Sequence, residues 1–472
     1  MKLWIEWFKC VQHLRPACSR FRTFLWMTLV LAGFAVRPEI AGVTSFVRAL
    51  WLRAGAYDGL LNFFHSPSLA IDKLTGLWAK LVQKIFSPLV VNGRLVCVAD
   101  GIKVAKEGLK MPAVKKLFQS SGDNSKPAYI FGHSFQALGL LVQGPLGHIV
   151  SVPLASRIHE GIQNAPSPKS RKKTLLDKLV ELLLAVAGHL PRKVYLLADA
   201  YYASRKIIVP LLAEGHHLIT RAKRNVVAYH QAPTPKKRKR GRPKKYGQKV
   251  ALRHLLSQTQ DFQTAPSPVY GEHGVEIQYL VIDLLWRPVG RLVRFVLVKH
   301  PTRGTIILMC TDLELDPIKI VELYGYRFKI EASFKQAVHT IGSFAYHFWM
   351  KGMVRISHKR SGDQYLHRRS EHYRRLVLRK MDAYHRFVQL ACIAQGLQQY
   401  LALYLRTNVW RHFRSWLRTM NPLQPPSEAV VAQALRNTLP EFLLGTSKTN
   451  SFAKFLMDHL DPERCPDLHL AA

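Results

Sequence analysis

The sequence predicts an α/β protein with a mixed β-sheet core, a β-rich insertion, and helical regions at both ends. Three observations carry that reading. Residues 1–90 place apolar side chains at helical spacing with few turn signals. Residues 94–223 alternate short apolar, β-branched runs with amphipathic stretches, and residues 275–313 add three further runs of strand length.

At 472 residues the chain is long enough for two or three domains and a sizeable core. Sixty-nine Lys and Arg face thirty Asp and Glu, a formal net charge of +39. An excess of one sign on this scale repels itself in the compact state unless a polyanion neutralises it. Nucleic acid is the expected partner, with an anionic membrane surface second. Six cysteines, Cys10, Cys18, Cys97, Cys310, Cys392 and Cys465, show no C-x-x-C and no Cys/His ligand spacing. That points to a reducing compartment, without structural zinc or a disulfide framework. The apolar stretch FLWMTLVLAGFAV at 24–36 has thirteen residues, short of the ~20 that span a bilayer. It reads as a buried core helix, and a signal-peptide cleavage site is missing. The expected location is the cytoplasm, with no membrane partner.

In chain order, WIEWFKCVQHL and GLWAKLVQKIF belong to a helical N-terminal region. At 94 the texture changes. RLVCVAD, ending in Asp100, reads as a strand, followed by strands over 129–143 and 148–158 joined by the turn-forming GPLG. KTLLDKLVELLLAVAG (173–188) reads as a helix stopped by Gly188. KVYLLAD, ending in Asp199, is a fourth strand, SRKIIVPLLAEG a helix, and HHLITRAK (216–223) a fifth strand. Short turns between the first three strands predict an antiparallel meander; strands alternating with helices predict parallel additions to the same sheet. This order resembles the ribonuclease H-like arrangement, in which the first and fourth strands lie side by side. Asp100 and Asp199 end those two strands, so the fold would bring two distant carboxylates together.

KKRKRGRPKK (236–245), eight cations in ten residues, then precedes strands over 275–286, 291–300 and 305–313. A helix follows over 315–341, with Asp316 as N-cap and Pro317 in its first position. Ten Lys and Arg fall within 351–380, and an apolar helix covers 386–405. The expected organisation is a helical domain over 1–90, with a DNA-binding or dimerisation role left open. The first part of the core follows over 91–223, the basic loop and insertion over 224–314, a core helix over 315–350, and a basic, helical region over 351–472.

Aligned carboxylates in a polyanion-binding chain suggest metal-dependent phosphoryl chemistry. Two divalent ions about 3.5–4 Å apart can activate a nucleophile and stabilise a leaving oxygen. Mg²⁺ prefers hard oxygen ligands and keeps several waters, so two or three carboxylates suffice. Asp100 and Asp199 supply two, and Glu331, on the helix after the insertion, is the candidate third. Tyr324, Arg327, Glu331 and Lys335 are spaced three, four and four, along one helical stripe. An ordinary surface ion-pair ladder would have the same spacing, but beside metal-binding carboxylates the cations would face phosphate oxygens.

VADGIKVAKEG around Asp100, LADAYYAS around Asp199 and YGYRFKIEASFK around Glu331 together make the chain resemble the DDE transposases of bacterial insertion sequences. The likeness runs over roughly 94–345, to the branch with a β-strand insertion and a Tyr-x2-Arg-x3-Glu signature. It implies that Asp100, Asp199 and Glu331 are catalytic and bind two Mg²⁺, with Mn²⁺ as a substitute. Tyr324, Arg327 and Lys335 would hold the transposon end. The signature's lysine normally falls seven residues after the glutamate, where Val338 stands, and Lys335 is the nearest replacement. The resemblance further implies double-stranded DNA as the partner, cleavage at transposon ends, strand transfer into target DNA, a homodimer in the synaptic complex, and association with the nucleoid. Lys236, Lys237, Arg238, Lys239, Arg240, Arg242, Lys244 and Lys245 are expected DNA contacts. Within them Gly241-Arg242-Pro243 resembles a minor-groove-inserting core, though a solvated tract would also bind phosphate without reading sequence. Trp286 is a candidate for stacking on an unpaired base, or else a core residue. Two alternatives stand: a metal-dependent nuclease without strand transfer, and a non-catalytic DNA-binding protein derived from a transposase.

Overall fold

The computed structural model describes residues 1–119, 127–163, 173–233, 241, 243–258, 260–269, 271–357, 361–417 and 419–464. Helices open the chain: α1 (Lys2–Gln12), α2 (Phe21–Val36), α3 (Thr44–Ala49), α4 (Ala56–His65) and α5 (Ile71–Ile85). Trp4, Trp7, Phe8 and Val11 of α1 recur at i, i+3, i+4 and i+7, the spacing of one helical face, and all four are buried. The apolar stretch over 24–36 forms α2, a core helix buried nearly all round. No helix among the described residues is long and apolar enough to cross a membrane.

The longer sheet strands are β1 (Arg94–Ala105), β2 (Tyr129–Gln143), β3 (Ile149–Ile158), β4 (Val194–Ala198), β5 (His217–Arg221), β6 (Val227–Gln231), β7 (Tyr246–Ala251), β8 (Glu276–Trp286), β9 (Arg291–His300) and β10 (Gly304–Cys310), with shorter strands paired at the edges. Helices α6 (Leu175–Ala187) and α7 (Arg205–Ala213) connect β3 to β4 and β4 to β5. β1, β2 and β3 pair antiparallel, whereas β1 with β4 and β4 with β5 pair parallel, the pattern expected from the turn and helix spacing. The strands after 270 do not stand apart. β10 pairs antiparallel with β5 through Cys310 and Ile219, so the insertion extends the core sheet in the order β3-β2-β1-β4-β5-β10-β9-β8-β6-β7. β9 and β10 each carry four consecutive buried residues, so both of their faces are covered, and the β10 edge finds its hydrogen-bond partners by joining the ladder that β5 offers.

The single helix expected over 315–341 is two. Helix α8 (Pro317–Tyr326) starts as predicted, with Asp316 Oδ1 accepting from the Lys319 N–H at 2.9 Å. Helix α9 (Lys329–Gln336) follows after a tightened turn, in which Arg327, Ile330 and Glu331 bond back three residues instead of four. A wide turn over Ala337–Ile341 then ends at Gly342 in the left-handed region, φ 68°. A β-carbon there would lie 2.4 Å from Arg37 Nη2, so only glycine fits.

Helix α10 (Glu371–Tyr404) is much longer than the 386–405 run suggested, 34 residues or about 50 Å. Its buried glutamines act as hooks: Gln389 donates to the Leu154 carbonyl of β3 at 2.8 Å, Gln395 to Ser333 O at 3.0 Å, and Gln398 to Ala35 O at 3.2 Å. One helix thus ties the sheet, α9 and α2 together. Helices α11 (Arg406–Phe413), α12 (Glu428–Thr446) and α13 (Ser451–Met457) close the chain. Trp4 stacks on Phe442 and donates to Leu435 O at 3.0 Å, so the two chain ends share one helical layer.

Candidate active site

The site forms where β1 and β4 run side by side. Val98 pairs with Leu197, so two residues further on Asp100 stands level with Asp199. β4 ends at Ala198, and Asp199 caps the next turn, its Oδ1 accepting from the Tyr201 N–H at 2.9 Å. Asp100 Oδ1 accepts from the Gly101 N–H at 2.7 Å. Both aspartates line a cleft of about 670 Å³ together with Lys103, Gln136, His159, Glu160, Tyr201 and Tyr202.

The α8–α9 junction meets this cleft through one guanidinium. Arg327 Nη2 donates to Glu331 Oε1 at 2.7 Å, and Nη1 reaches Asp100 Oδ2 at 3.4 Å. Burial pushes the Asp100 carboxyl up to about 6; the charges of Asp199 and Glu331 push the same way, against the Gly101 N–H and Arg327. Like charges gathered in a half-buried site create a demand for a cation, which Arg327 meets in part.

The donor chemistry fits a hard divalent ion, because the cleft offers carboxylate oxygens and no thiolate. Among the described residues, however, no group of three or more His, Cys, Asp and Glu side chains stands close enough to hold one. Mg²⁺ needs only one or two carboxylates beside its waters, which the Asp100–Asp199 pair supplies. Glu331 would have to exchange its bond to Arg327 to join them.

Other candidates fall as follows. Tyr324 is half-buried, with the Arg327 guanidinium 6.0 Å from its ring centre. Lys335 lies exposed in the last turn of α9 and forms no ion pair among the described residues, so the ladder stops at Glu331. Val338 packs against the core. Trp286 is only 8% exposed and belongs to the core, a correction to its expected stacking role: the last residue of β8 faces inward with Leu284. Lys244 and Lys245 are exposed; Lys236, Lys237, Arg238, Lys239, Arg240 and Arg242 lie outside the described residues.

The sequence reading did not single out His159 and Glu160. They follow the last residue of β3, and the register that brings β3 beside β2 also brings them to the cleft. Burial holds the His159 imidazole down to about 4, so it is neutral at pH 7. Glu160 faces Lys115 at 3.4 Å, which also binds Asp363 at 3.2 Å. A charged residue just past a strand end was the available signal.

No curated protein matches the chain at a significant level. A family model described as DDE superfamily endonuclease matches residues 17–269, a span that includes Asp100 and Asp199 and ends before Glu331. Since that match covers more than half of the 472 residues, the chain belongs to the DDE superfamily endonucleases.

Proposed function

We propose that this endonuclease-family protein is a transposase of the bacterial insertion-sequence type, cutting at transposon ends and joining them to target DNA. The observation that carries the reading is the level placement of Asp100 and Asp199 on neighbouring parallel strands, in a cleft of a chain with net charge +39. The strand order of the core supports a ribonuclease H-like assignment. On this reading the core spans 91–223 and 315–350, with the insertion between them and helical regions over 1–90 and 351–472.

Asp100, Asp199 and Glu331 would hold two Mg²⁺, or Mn²⁺ in their place. Held by these carboxylates, such ions would supply Lewis-acid chemistry, lowering the pKa of water and offsetting charge on a leaving oxygen. Arg327 would move from carboxylate to phosphate, because its planar fork matches either anion. Neutral His159 can orient water or a sugar hydroxyl without adding charge. Tyr324, Lys335 and the 236–245 cations would grip the DNA, and a homodimer would bring two ends together on the nucleoid.

The test has two stages. Wild-type protein should nick supercoiled plasmid with Mg²⁺, and a pre-cut 3′ end should join to target DNA. Nicking without joining would leave a nuclease; neither would leave a DNA-binding protein.

A further inference from the structure

At the mouth of the cleft the short strand Lys115–Phe118 pairs antiparallel with the start of β2, and Phe118 stands opposite Tyr129. Their rings meet edge to face at 5.4 Å, yet Phe118 is 56% and Tyr129 53% exposed. Strand alternation explains the orientation. Leu117 turns into the core while Lys116 and Phe118 share the outer face, and the Lys116 ammonium lies 4.7 Å from the Tyr129 ring centre. The platform is continuous with the cleft, because Lys103 lines the cleft and donates to Phe118 O at 2.6 Å, and Gln119 lines it too.

Two exposed aromatic rings beside a cation are poorly explained by packing among the described residues. Their chemistry suits a ligand with a flat π face on an anionic backbone, as an unpaired base in a DNA strand provides. We propose that Phe118, Tyr129 and Lys116 form a stacking platform for an unpaired base of the strand that enters the Asp100–Asp199 cleft. The proposal rests on the reading that this cleft takes DNA. It moves the stacking function away from the buried Trp286 to a site that the sequence did not suggest.

The test measures binding by fluorescence anisotropy, without metal, using the full chain and labelled 20-nucleotide strands. Wild-type protein should bind an intact strand about 5- to 100-fold more tightly than one with abasic positions, the range expected of base–aromatic stacking. The Phe118→Ala/Tyr129→Ala variant should lose that preference, and Phe118→Tyr/Tyr129→Phe should keep it. Affinity for blunt duplex should change less than twofold in both. Equal affinity of wild-type protein for intact and abasic strands overturns the proposal, without depending on whether a variant folds. So does a double-alanine variant that keeps the preference, or one that loses only self-association, which would make a second copy the occupant. Plasmid nicking separates the two readings. Base preference without nicking sinks the catalytic assignment and keeps the platform; nicking without base preference does the reverse.

Discussion

The two halves of the acidic site are held in different ways. Asp100 and Asp199 sit on adjacent parallel strands, where four consecutive ladder pairs from Leu95–Val194 to Val98–Leu197 fix their level. Glu331 and Arg327 sit at a break between two short helices, held from outside the helix itself. Gln395 of α10 grips Ser333, and Arg37, the residue just after α2, donates to Ile341 O at 2.5 Å and Gly342 O at 2.9 Å. The strand half is rigid by register. The helix half is positioned by buried polar hooks from both ends of the chain, and a tightened turn within a helix is the kind of place where a segment can pivot.

The largest effect should come from the strand half. Asp199→Asn removes an ionised carboxylate without changing shape, and plasmid nicking should fall by about 10³-fold or more, ~4 kcal/mol of barrier. DNA affinity in a gel shift should hold or rise, because a negative charge near phosphate has gone. Retained nicking would take Asp199 out of the site and leave the register argument without a chemical consequence.

Next comes the hook on the helix half. Arg37 is buried between Phe34 and Phe46 at 4.7 and 4.8 Å, and burial lowers its guanidinium to about 9. Arg37→Met would keep much of the volume but leave the Ile341 carbonyl without its Arg37 partner, at about 1–3 kcal/mol. It would also remove one bond each from the Gly342 carbonyl, which still accepts from the Ala345 N–H, and from Ser45, which still donates to Gly42 O, at about 1 kcal/mol each. Denaturant unfolding should register a loss of about 3–5 kcal/mol. A loss under 1 kcal/mol would mean that α9 is held by its own packing, and the contrast between the halves would weaken.

How much of this the sequence disclosed follows the same division. The strands over 94–221, their pairing sense and the strand-end place of Asp199 are legible, because β-branched runs and turn residues are local signals. The end expected at Asp100 is corrected, since β1 runs on through it to Ala105, held by its antiparallel ladder with β2. The Asp316 cap was equally local, and it held. The break at Arg327–Phe328 was not legible, since Tyr324, Arg327 and Glu331 keep helical spacing across it. Its supports come from Arg37 and Gln395, which no periodicity links to Glu331. Trp286 stays open between core and stacking in the sequence for a related reason: strand alternation allows either face, and its burial in the folded chain places it in the core. Phe118 carries no sequence signal because a four-residue strand has too little pattern, and Tyr129, though it opens the legible β2, gives no sign of the partner beside it.

A subtler probe is pH. Asp100 has a folded pKa raised to about 6 from an ordinary 3.8, so its ionised form is disfavoured in the folded state. Stability from this group is full below pH ~4 and is lost as pH rises through 6. Without divalent metal, Asp100→Asn should therefore be more stable than wild type at pH 7, by up to about 3 kcal/mol. The gain should shrink between pH 6 and 4. A variant that is less stable at pH 7 would show that Arg327 more than offsets the burial of this carboxylate.

The smallest expected effect belongs to Lys335, and it bears directly on whether the helix half reaches DNA. Its side chain is exposed and without an ion pair among the described residues. Lys335→Ala should change stability by less than about 0.5 kcal/mol, as surface substitutions do. A lysine stem can nevertheless deliver its ammonium to a phosphate one helical turn beyond Glu331, filling the role that Val338 cannot. If it does, one phosphate contact is lost, and the slope of log affinity against log salt should fall by about 0.9. The effect should be strongest on short substrates that end at the cut site. Arg327→Ala supplies the comparison, since that residue already bridges Asp100 and Glu331. Should both lysine and arginine hold the same strand end, the double variant will lose less than the sum of the singles. An unchanged salt slope with unchanged cleavage would make Lys335 an ordinary surface lysine, and the helix half would then touch DNA through Arg327 and Tyr324 alone.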